Sequence, residues 1–88
     1  MAKGWTSEAV LTTRQVLQLR EARRLLRTGE ARSAREAAGL SLNEVGSVCG
    51  VTPGAVSRWE RGERRPTGQP AVAYARLLTS IRAAQDEA

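Results

Sequence analysis

Residues 40–66 read LSLNEVGSVCGVTPGAVSRWERGERRP, and the placing of capping, small and apolar residues in this stretch decides the fold. Ser41 followed by Glu44 forms a capping box, and Leu40 with Val45 forms the hydrophobic staple around it. A helix over 42–49 follows, stopped by Gly50. Thr52 then supplies a second N-cap, Pro53 takes the first helical position and Val51 staples to Val56. This predicts a second helix over 53–61, ended by Gly62. Two short helices joined by so tight a turn must cross steeply. The first needs a small residue at the crossing, which Gly46 supplies. The turn needs a residue that tolerates positive φ, which Gly50 supplies. Val45, Cys49, Val51, Val56 and Trp59 then fall at core positions. The joint pattern is a helix-turn-helix; the competing arrangement is an ordinary αα-corner in a helical bundle.

Outward from this stretch the pattern stays helical. Thr12 with Gln15 caps a helix over 13–28, with Leu11 and Val16 as its staple. Val16, Leu19, Ala22 and Leu26 recur at helical spacing, with Leu17 and Leu25 widening the stripe. Arg14, Arg20, Arg24 and Arg27 take the other face. Gly29 either stops this helix or is run through. An Ala-rich helix over 30–38 ends at Gly39. After a basic loop at 63–69, a helix over 70–84 starts near Pro70 and shows Tyr74, Leu77, Leu78 and Ile81. Residues 1–11 read as a flexible arm, with Trp5 expected to fold back on the domain, and 85–88 as a frayed tail. No segment alternates at period two. The expectation is an all-α, compact bundle of about five helices forming one domain over 12–84.

Composition bounds the function. The 88 residues carry 14 Lys and Arg against 9 Asp and Glu, a net charge of +5. Such a surplus on a small domain points to a polyanionic partner, nucleic acid before anionic membrane. With no His and one Cys, the usual zinc ligand sets and an intrachain disulfide are excluded. Neither a membrane span nor a secretory leader is visible, so the expected address is the cytoplasm. No nucleophile–base pair stands out, so no enzymatic activity, cofactor or small-molecule ligand is expected. Cys49 reads as a small apolar filler.

The segments REAAGLSLNEV (35–45) and VSRWERGERRP (56–66) resemble the helix-turn-helix of the phage-repressor and Cro type, the XRE family, over roughly residues 31–82. The resemblance implies a lambda-repressor-like bundle with the 53–61 helix in the major groove of double-stranded DNA. It places Thr52, Pro53, Gly54, Ser57 and Arg58 toward the bases. Family members often carry long polar groups where this chain has Pro53 and Gly54, so readout falls mostly on Arg58, with Ser57 and Thr52 helping. An arginine suits bidentate contact with guanine; a phosphate contact or a surface ion pair is the competing role for Arg58. Arg61, Arg64 and Arg65 are expected to grip phosphates, the alternative being a solvated charge cluster. Arg35 and Glu60 resemble a buried ion pair of the family, and Trp59 reads as a core plug rather than a base-stacking residue.

The implied role is a transcriptional regulator, a Cro-like or immunity-type repressor; the alternatives are a protein-interaction module or an antitoxin-like or excision accessory protein. Two departures stand out: a long Arg-rich helix precedes the usual first helix, and only one helix follows the motif. The 13–28 helix is therefore expected either to replace a core helix or to mediate dimerisation. A homodimer is expected to be held by the apolar residues of 13–28 (Leu17, Leu25, Leu26) or 70–84; the alternative is that the two helices pack on each other in a monomer.

Overall fold

Three side-chain caps set helix starts in the computed structural model, which describes residues 10–87. The Thr12 hydroxyl accepts from the Gln15 N–H at 3.0 Å, and the Gln15 side chain accepts from the Thr12 N–H at 2.9 Å. Ser41 and Glu44 exchange the same pair of bonds at 2.9 and 2.8 Å, and the Thr52 hydroxyl accepts from the Ala55 N–H at 3.1 Å. Each satisfies N–H groups that a helix start leaves without partners. The helices are α1 (Thr13–Thr28), α2 (Glu30–Ala37), α3 (Leu42–Cys49), α4 (Pro53–Glu60) and α5 (Gly68–Glu87), with no strand among the described residues. Trp5 and most of the expected arm lie outside the described residues.

Gly29 does break the chain between α1 and α2, at φ +85°. The helices α2 and α4 each end one residue earlier than expected, because Ala38 and Arg61 serve as caps before Gly39 and Gly62. The last helix is longer than expected at both ends. Pro70 falls inside its first turn, where the missing N–H would have no helical partner anyway. At the other end the Gln85 amide donates to the Ala34 carbonyl at 3.0 Å, so residues 85–87 continue the helix.

The core joins Leu19, Ala22 and Leu25 of α1 to Val45 and Cys49 of α3, Val56 and Trp59 of α4, and Val72, Tyr74, Ala75 and Leu78 of α5. The Trp59 and Tyr74 rings meet at 4.9 Å, tilted by 55°. The Ala-rich α2 adds only Ala31 and Ala34, so α1 supplies the bulk that α5 packs against. A domain this small needs that area, and α1 takes the place of a core helix. Leu25, Tyr74, Leu78 and Ile81 are thereby buried within one chain, which corrects the expectation that they are free to hold a partner. Val16 and Leu17, placed on the core stripe from the sequence, are instead half exposed. The buried face of α1 centres on Ala22, and these two lie roughly 120–140° around the helix from it.

Candidate nucleic-acid interface

The turn between α3 and α4 is built on two glycines. Gly50 stands at φ +74°, and the Gly46 carbonyl accepts the N–H groups of Gly50 and, at 2.9 Å, Val51. A Cβ on Gly46 would lie 2.7 Å from the Val51 carbonyl oxygen and 3.2–3.3 Å from the Thr52 and Pro53 backbone. The backbone of α3 therefore lies flush against the turn, which fixes the direction in which α4 leaves. Val56 and Trp59 anchor the inner side of α4 in the core. The Arg35 guanidinium holds its far end, donating to the two Glu60 carboxylate oxygens at 2.6 and 3.1 Å and to the Leu40 carbonyl at 2.9 Å. The Glu60 side chain is 5% exposed and Arg35 12%. The carboxylate beside it holds the Arg35 pKa above its ordinary value, although burial opposes this. The pair ties α2 to α4 across the fold.

This support turns one face of α4 outward. Thr52, Pro53, Gly54 and Arg58 are exposed and Ser57 is half-buried. A Cβ on Gly54 would sit 3.5 Å from a terminal nitrogen of the Arg58 guanidinium. Arg58 thus folds back along its own helix, four residues on, and lays its charge over the bare backbone of Gly54. The guanidinium ends near the start of α4, the part of a recognition helix that meets base edges. Ser57 is engaged on the surface: its hydroxyl accepts from Arg61. Arg61 also donates to Glu63 at 2.8 and 3.0 Å, a clamp across Gly62 that the sequence reading missed. The guanidinium beside Glu63 holds that carboxyl below its usual range. Both partners are exposed, so water screens their attraction.

Arg58, Arg64 and Arg65 form no ion pair among the described residues. They line one concavity of about 440 Å³ with Val51, Ala55 and Trp59 and, among the described residues, no acidic one. Trp59 is 5% exposed, so its ring offers no face for a base to stack on. Among the described residues no group of His, Cys, Asp or Glu is placed to hold a metal ion, and no helix is long and apolar enough to cross a membrane. The Cys49 thiol is buried, and burial pushes its pKa up.

A helix-turn-helix family model matches residues 32–80, from α2 into α5, and leaves α1 outside. No curated protein and no solved structure matches the chain.

Proposed function

The chain belongs to the XRE-type helix-turn-helix family of DNA-binding regulators, and on that footing we propose that it is a sequence-specific repressor of Cro-like or immunity type. In this reading α4 enters the major groove of double-stranded DNA. Arg58 reads guanine O6 and N7 from its seat over Gly54, with Thr52 and Ser57 as secondary contacts. Pro53 and Gly54 bring the backbone close to the DNA without reading it. Arg64 and Arg65 hold phosphates, and Arg61 joins them by exchanging Glu63 for a phosphate oxygen. The observation that carries this reading is the concavity, lined by no acid among the described residues, where Arg58, Arg64 and Arg65 converge beside the start of α4.

One α4 with a single long base-reading side chain specifies few base pairs. Two copies on a pseudo-palindrome multiply the readout, with half-site centres about 34–36 Å apart for one helical turn. The exposed Val10 and Leu11, just before α1, with Val16 and Leu17 near its start, are the apolar surface such a dimer would use. The site of action is the cytoplasm, and no cofactor is required. A protein-interaction role on the same fold has one observation in its favour, the absence of base-reading side chains at Pro53 and Gly54. Selection of bound fragments from a genomic library with the purified protein tests the proposal. Enrichment of one pseudo-palindromic sequence containing G·C pairs in each half is expected. Recovery of fragments with no shared sequence would overturn specific readout.

A further inference from the structure

The arginines of α1 have no role in the helix-turn-helix, and α1 lies outside the family match. They are not equivalent. Arg24 is tied to Glu21 at 2.6 Å and to Glu30 at 3.3 Å. Arg23 and Arg27, four residues apart and so on one face, are exposed and make no ion pair among the described residues. They line a groove of about 290 Å³ whose far wall carries Arg64 and Arg65. Its apolar lining includes Leu26 and Trp59, and no acidic residue among those described lines it. Four guanidinium groups so placed repel one another in the free protein. A low-dielectric floor focuses their field outward.

We propose that Arg23 and Arg27, brought against Arg64 and Arg65 in this groove, form a second phosphate-binding surface that extends the DNA footprint beyond the helix-turn-helix. The occupant is the phosphodiester backbone of the same duplex. Arg64 and Arg65 line both this groove and the concavity beside Arg58, so the two surfaces form one basic belt from the start of α4 to the middle of α1. The guanidinium fork suits phosphate oxygens, and a belt that contacts no base edge adds affinity without sequence information. The inference rests on the DNA-binding reading above, and its experiment separates the two.

Duplex affinity is measured between 50 and 200 mM salt for the wild-type chain and three double variants. These are Arg23→Gln with Arg27→Gln, Arg23→Lys with Arg27→Lys, and a charge-matched control, Arg14→Gln with Arg76→Gln, whose residues do not line the groove. Loss of two phosphate contacts should shrink the ratio of wild-type to Gln-variant affinity by about tenfold across that range. The Lys pair should keep the wild-type salt slope, and the control should hold a constant ratio to wild type. A Gln pair that tracks the wild type, or a control that loses as much, overturns the proposal. Loss of polyglutamate binding by the Gln pair with duplex binding intact would assign the groove to an acidic peptide and overturn it as well. If the wild-type chain itself binds no duplex, the DNA-binding reading fails first and takes this inference with it.

Discussion

Arg58 and Gly54 act as one unit at the residue scale. Arg58→Ala should cost about 1–3 kcal/mol on the selected site, as for a lost bidentate base contact, and relax the preference at one G·C position. Competition binding against single-base variants of the site measures this; equal losses on selected and random duplexes would make Arg58 a phosphate ligand. Two glycine substitutions should part company. Gly54→Ala adds a Cβ at ordinary contact distance, 3.5 Å from the Arg58 guanidinium. It should stabilise the fold by up to ~1 kcal/mol through helix propensity while weakening specific binding, because the added methyl stands where the backbone of α4 approaches the DNA. Gly46→Ala drives a Cβ to 2.7 Å from a backbone carbonyl and should destabilise the fold by about 1–3 kcal/mol. Thermal melts and duplex titration of both variants check the contrast, and two variants with the same melting shift would refute it.

The basic loop after α4 belongs to the scale of elements. Arg64→Ala with Arg65→Ala should weaken binding to every duplex alike and flatten the logarithmic salt slope by roughly two units. An unchanged slope would show that the loop does not reach the backbone. The element boundaries also show what was legible in the sequence. Ser41, Glu44, Thr52 and the glycines act on neighbours a few residues away, so helix starts and stops could be read locally. The early start of α5 was not, because a proline is tolerated anywhere in a first turn. Its continuation to Glu87 depends on Gln85 meeting Ala34, a contact between residues far apart in sequence. Val16 and Leu17 were misplaced because the buried face of α1 is chosen by its meeting with α5 rather than by its own apolar count. At the site, Arg58, Arg64 and Arg65 were singled out from the sequence. The Arg61–Glu63 clamp was not, since such a pairing depends on the turn at Gly62. Nor was the seat of Arg58 over Gly54, although the spacing of four residues was there to find. Arg23 was not singled out, because the groove it lines forms only where α1 meets the loop after α4, residues far apart in sequence.

At the scale of the whole molecule, two buried groups set the response to alkali. Burial raises the pKa of Cys49, and burial with the nearby Glu60 carboxylate raises that of Tyr74, whose hydroxyl has no hydrogen-bond partner among the described residues. Both stay protonated in the fold while the unfolded chain ionises, so unfolding releases protons and stability falls as pH rises. The melting temperature should hold steady to about pH 8.5, the ordinary range of a thiol, and decline above it. Tyr74→Phe should remove the part of the decline that sets in above about pH 10. A melting temperature that rises between these values would refute the assignment. The whole account turns on whether this small basic bundle reads DNA through α4. Titration of the purified chain with its selected duplex and a scrambled duplex, from 50 to 200 mM salt, measures that most directly. The account predicts a steep fall in affinity with salt on both duplexes. It also predicts a preference of about 10³-fold or more for the selected sequence, which Arg58→Ala reduces. Equal, salt-insensitive binding to both, or none to either, would contradict it.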